Sequence, residues 1–107
     1  CAGQQGKFWE FHDKVFDQQE AINKSGDLTR DFSKEIATSL GLNIEQFASC
    51  VTAETTKQAI SAEIMEGIKL GIKGTPAVYI NGRPIQLWPF ASMMLGIVKE
   101  SIKNPNL

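Results

Sequence analysis

The sequence predicts an α/β chain, helical over residues 1–70 and ββα over 71–107, whose sheet is incomplete. Three observations carry this. Apolar residues recur at three- and four-residue spacing through most of the first seventy positions. A short run, Ala77-Val78-Tyr79-Ile80, then meets Asn81-Gly82 and a return stretch over 83–86. A further helical stripe closes the chain. The run suits a strand buried on both faces. Asn81 and Gly82 both tolerate positive φ, as a type I′ hairpin turn requires. Pro84 has no N–H for a ladder, which places the return strand at a sheet edge. A two-stranded hairpin is marginal in water, so this one calls for more strands than these residues contain.

Composition narrows the class. The 107 residues suffice for one domain with a modest core. Eleven basic side chains against twelve acidic give a formal charge of −1, with no run of five basic residues. A nucleic-acid or anionic-membrane surface is therefore not expected. No apolar stretch approaches the roughly 18 residues of a membrane span. No signal peptide is visible either. Cys1-Ala2-Gly3-Gln4-Gln5-Gly6 lacks a Met and resembles the last turn of a helix running into a glycine stop, as expected of a truncated or processed product.

In chain order, Phe8, Phe11 and Val15 give residues 7–18 a wide apolar helical face, with Trp9, His12 and Phe16 beside it. Residues 19–26 are polar and end in Ser25-Gly26, which predicts a loop. The triplet Asn23-Lys24-Ser25 matches a glycosylation acceptor and is set aside as a chance match. Asp27 or Thr29 can cap the next helix, striped by Leu28, Phe32, Ile36 and Leu40, with Gly41 at its left-handed end. Asn43 caps a second short helix, Gln46 is placed to reach back to it, and Leu42 with Phe47 forms a staple. Residues 52–70 form a longer helix with Ile60, Ile64, Met65 and Ile68 inward, ended by Gly71. Trp88-Pro89 opens the last helix, with Pro89 at its first position. Phe90, Met93, Met94, Ile97, Val98 and Ile102 line one face, and Asn104-Pro105 stops it.

Two segments carry a family resemblance. Gly74-Thr75-Pro76-Ala77-Val78-Tyr79-Ile80-Asn81-Gly82 resembles the cis-proline segment of thioredoxin-fold proteins, and most of all the DsbA-type thiol:disulfide oxidoreductases. Gln5-Gly6-Lys7-Phe8-Trp9-Glu10-Phe11-His12-Asp13-Lys14-Val15-Phe16 is similar to a helix of that family's α-helical insertion. The resemblance runs through nearly the whole chain in the family's order. It implies an incomplete thioredoxin-like fold of DsbA type, with the helical insertion over 1–70 and the C-terminal ββα part over 71–107. It also implies a periplasmic or other extracytoplasmic setting, and cysteine-containing polypeptides as substrates. The chain departs from the pattern in one large respect: it has no Cys-x-x-Cys, so no catalytic residue is assigned. The dithiol segment is expected upstream, which makes the missing N-terminal half of the fold, or a second copy, an expected partner. Whether the parent is an enzyme through this chain or the chain is a non-enzymatic binding module stays open.

The resemblance gives Thr75 and Pro76 a substrate-binding role: a cis bond turns the Thr75 backbone towards the active-site sulfurs, ready to pair with an extended peptide. A trans Thr-Pro that merely starts a strand is the structural alternative. Cys1 and Cys50 lie 49 positions apart and cannot be a Cys-x-x-Cys pair. A structural disulfide, two small buried hydrophobes and an electron-relaying pair are the three possibilities, the first being favoured in an oxidising compartment. His12 is expected as a packed core or boundary residue and Met93-Met94 as core filling. Trp88 and Phe90 could border a peptide groove or cover the hairpin. No metal ligand set and no cofactor motif are present.

Overall fold

The computed structural model describes residues 1–27, 30–86 and 89–106. It divides into two compact units, Cys1–Ala62 and Glu63–Leu107. In the first, a 3-10 turn at Ala2–Gln5 precedes four α-helices: α1 (Phe8–Asp17), α2 (Gln19–Lys24), α3 (Phe32–Ser39) and α4 (Ile44–Thr52). Helix α5 (Glu54–Lys69) begins in the first unit and ends in the second, which continues with strands β1 (Tyr79–Ile80) and β2 (Arg83–Pro84) and helix α6 (Ala91–Lys103).

The core of the first unit follows from two helix ends. Gly41, at φ 69°, lets its own N–H reach the Thr38 carbonyl and that of Leu42 reach Ala37, closing α3 in a Schellman turn. Leu42 is thereby delivered into a cluster with Ala2, Ala37 and Phe47. Asn43 then starts α4, its side-chain oxygen accepting from the Gln46 N–H at 2.9 Å. The reach-back expected of Gln46 is made instead by Gln5, whose Oε1 accepts from the Asn43 N–H at 2.8 Å. Its Nε2 also donates to the Asn43 carbonyl at 3.1 Å. Phe11 packs on Phe47 with ring centroids 5.6 Å apart. Burying a ring such as Phe47 stabilises by about 1.5–3 kcal/mol.

Several expectations need correction. Residues 19–26 are not all loop: α2 forms because Gln, Glu, Ala and Lys favour helix and Glu20 pairs with Lys24 one turn on. Helix α3 is capped by Asp31, not by Asp27 or Thr29, since Asp31 Oδ1 accepts from the Lys34 N–H at 3.1 Å. Leu28 and Thr29 lie outside the described residues. Thr52 belongs to α4, because Ala53 is extended (φ −63°, ψ 139°) and breaks the chain into two helices. Helix α6 starts at Ala91 with Phe90 as its cap, so Pro89 sits outside it rather than at its first position.

The largest departure concerns burial. Ile60, Ile64, Met65 and Ile68, expected to point inward, are exposed by 53, 58, 52 and 62%. Of the α6 stripe, Met94 and Ile97 are half-buried, while Phe90, Met93, Val98 and Ile102 are exposed. The periodicity is correct, but no described element covers these faces. The buried hydrophobics among the described residues all belong to the first unit.

Candidate functional site

The site is built from the hairpin outward. Gly71, at φ 72°, ends α5 in the same way that Gly41 ends α3, with the Ile72 N–H on the Gly67 carbonyl. The chain then reaches the Thr75–Pro76 peptide bond, which is cis. Thr75 and Pro76 are both exposed. Asn81 and Gly82 take φ 50° and 76°, as the turn requires. The strands pair antiparallel with Ile80 opposite Arg83 and Tyr79 opposite Pro84, fewer residues than the expected 77–80 and 83–86. The ladder runs one bond further, from the Ile85 N–H to the Val78 carbonyl at 2.8 Å.

That bond fixes which way each backbone group faces. Val78 and Ile85 are a hydrogen-bonded pair, so by alternation Tyr79 and Pro84 are a non-bonded one. Pro84 therefore sits where its missing N–H faces outward and costs the ladder nothing. By the same register the Tyr79 N–H and C=O point away from β2, to the outer edge of β1. Among the described residues no strand pairs with that edge. A cleft of about 330 Å³ lies against the hairpin, lined from both strands by Pro76, Val78, Tyr79, Pro84 and Ile85 among others. The turn is tied to the chain after α6: Asn81 Nδ2 donates to the Pro105 carbonyl at 3.2 Å, and Arg83 Nη2 to that of Asn106 at 3.4 Å.

Cys1 and Cys50 are joined in a disulfide, with Cα atoms 5.6 Å apart. Both are half-buried. Cys50 Sγ lies 3.8 Å from Thr56 Oγ1, and that hydroxyl donates to the Cys50 carbonyl at 2.7 Å. The bridge stands in the first unit and Thr75–Pro76 in the second. His12 is exposed on α1 rather than packed at a core or boundary position: its Nδ1 is 3.0 Å from Asp13 Oδ1, and its ring lies against Trp9 and Phe16. Trp88 lies outside the described residues.

Sequence reasoning missed three features. Gln5 carries no cap signature, because its partner is 38 positions away. Arg30 grips Glu35 with three hydrogen bonds of 2.9–3.1 Å and lies 4.3 Å over the Phe32 ring. This guanidinium holds the Glu35 carboxyl below the usual carboxylate range. Asp31 is lowered too, first by the Ser33 hydroxyl and then by the Lys34 N–H. The Ser33 and Lys34 bonds could have been anticipated from Asp31-Phe32-Ser33-Lys34, an N-cap followed by its donors. Among the described residues no group of three or more His, Cys, Asp and Glu could hold a metal. Nor is any helix of the described residues long and apolar enough to cross a membrane.

Comparison with known proteins adds lineage to geometry. The chain is 29% identical over 96 residues to a probable disulfide bond formation protein D of Bacillus cereus, covering 87% of this chain and 43% of that one. It is 27% identical over 86 residues to a Na(+)/H(+) antiporter NhaA of Herminiimonas arsenicoxydans, covering 80% and 13%. Against the Na(+)/H(+) antiporter NhaA 1 of Mycolicibacterium vanbaalenii it is 30% identical over 97 residues, covering 88% and 15%. The chain thus spans less than half the length of these relatives. No solved structure matches it. The model of the DSBA-like thioredoxin domain matches residues 1–96, which is most of the chain, helical segment and hairpin alike, and the chain belongs to that family.

Proposed function

We propose that this chain is part of a thiol–disulfide oxidoreductase acting on protein thiols or disulfides, and that it supplies the substrate-binding loop and the helical cap. The observation that carries this is the outer edge of β1, with which no strand pairs among the described residues, following directly on the exposed Thr75 and Pro76. An extended polypeptide laid against Thr75 would be held by main-chain hydrogen bonds, with its side chains beside Pro76. The nucleophile would come from elsewhere, since a low-pKa cysteine is needed and both cysteines here are bonded to each other. The parent reaction would pass through a mixed disulfide between substrate and that dithiol. Its setting would be periplasmic or otherwise extracytoplasmic, where disulfides persist.

The test is amide chemical-shift mapping with an extended, cysteine-containing peptide. Shifts concentrated at Thr75, Ala77 and Tyr79 are expected, and should disappear in Pro76→Ala. Shifts confined to the first unit would refute the assignment. A second possibility is a non-enzymatic peptide-binding module. An insulin-reduction assay separates the two once the segment carrying the dithiol is supplied: turnover supports the oxidoreductase, and binding without turnover supports the module.

A further inference from the structure

We infer that Asn81-Gly82, the turn of the hairpin, is a site of covalent self-modification: deamidation to aspartate and isoaspartate, which unties the hairpin from the chain after α6. The sequence holds five asparagines, Asn23, Asn43, Asn81, Asn104 and Asn106, and only Asn81 is followed by glycine. Asn104 is followed by Pro105, whose nitrogen has no hydrogen to give up. The other three precede Lys24, Ile44 and Leu107, residues that carry a β-carbon next to the attacking nitrogen.

The reaction needs only water. The Gly82 nitrogen attacks the side-chain carbonyl carbon of Asn81, forming a new C–N bond that closes a succinimide. The Cγ–Nδ2 bond breaks, and Nδ2 leaves as ammonia with the proton from Gly82. Water then opens the ring at either carbonyl. One opening gives aspartate; the other gives isoaspartate, whose main chain runs through the former side chain. No oxidant or reductant takes part.

The structure leaves this step open. Asn81 and Gly82 are both exposed, so water reaches them. The ladder joins Ile80 to Arg83 across the turn, and the Gly82 N–H takes no part in it. Among the described residues nothing lies within 4 Å of where a Cβ on Gly82 would stand. The Asn81 side chain has still to swing round to the Gly82 nitrogen. A hairpin of two short strands opens locally often enough to allow that.

The change falls on a tether. The nitrogen that leaves is the Nδ2 that donates to the Pro105 carbonyl at 3.2 Å. A carboxylate in its place can only accept, and so can the carbonyl it faces. Isoaspartate also lengthens the main chain of a turn whose two residues, at φ 50° and 76°, set Ile80 opposite Arg83. The bond from the Ile85 N–H to the Val78 carbonyl loosens with the turn. β1 is the strand whose outer edge the proposed function uses, so a loss of peptide binding rests on that reading, whereas the modification does not.

The experiment incubates the 107-residue chain in warm, mildly alkaline buffer. Peptide mapping by mass spectrometry locates each amide converted to acid, and hydrogen exchange is then read at Ile85. Conversion at Asn81 is expected to run at least about tenfold faster than at Asn23, Asn43 or Asn106, because glycine alone leaves the nitrogen unhindered. Exchange at Ile85 should rise at least about threefold in the converted chain. The variant Asn81→Asp, which loses the donor without lengthening the chain, should show a rise without incubation. An intact Asn81, or conversion no faster than at the other asparagines, would overturn the site. Unchanged exchange at Ile85 in the converted chain or in Asn81→Asp would overturn the untying. None of these readouts uses a peptide, so failure here is distinguishable from failure of the substrate reading.

Discussion

At the scale of the residue, polar groups decide where helices begin. Asn43 caps α4 through its side chain, while its backbone N–H and C=O are held by Gln5. Replacing Asn43 by Ala removes the cap but leaves the Gln5 bonds, and should cost about 1 kcal/mol in urea unfolding, with Asn43→Ser close to neutral. An unchanged midpoint for the Ala variant would show that Gln5 alone fixes the helix start. At α3, the folded pKa values of Asp31 and Glu35 lie below their unfolded ones. Such groups contribute stability that is complete above the unfolded carboxylate range, about 4, and is lost as pH falls below it. Asp31→Asn should therefore flatten the decline of stability between neutral and acid pH. A titration identical to that of the parent chain would contradict the assignment.

At the scale of the element, the glycine stops after α3 and α5 match the sequence reading, whereas several helix starts and the helix partners do not. Gly41 and Gly71 take the left-handed conformation that their positions after a stripe require, because only glycine does so without strain. Gly71→Ala should lower stability by about 1 kcal/mol through that strain alone, since nothing lies near enough for the added methyl to touch. The loop expected over 19–26 failed because polarity was taken for irregularity, whereas Glu20 and Lys24 support a helix. The burial of Ile60, Ile64 and Ile68 failed for a different reason. A stripe reveals that a face is apolar, but what covers it is a property of other elements. In this chain these positions should behave as surface: Ile64→Gln should change stability by less than about 0.5 kcal/mol. A loss of several kcal/mol in thermal unfolding would show that the face is covered in solution.

At the scale of the whole molecule, family membership was legible because two motifs keep their order along the chain, and the family model matches residues 1–96. The site was legible only in part. Thr75 and Pro76 stand out by motif, but the edge beside them emerges from register, which no single residue encodes. The long-range bond from Gln5 to Asn43 left no local trace. With dithiothreitol as the reductant, the chain by itself should not accelerate insulin reduction beyond the reductant alone, and acceleration without the segment carrying the dithiol would refute the view that the nucleophile lies elsewhere.

Pro84 has one more consequence. Strand pairing between molecules can propagate into a fibre only when each unit offers two growable sides. Here β2 presents a proline where a donor would be needed, and only β1 remains able to recruit. Any self-assembly along this hairpin must stop at two copies, back to back. Light scattering that resolved longer polymers built on strand pairing would mean that the barrier fails.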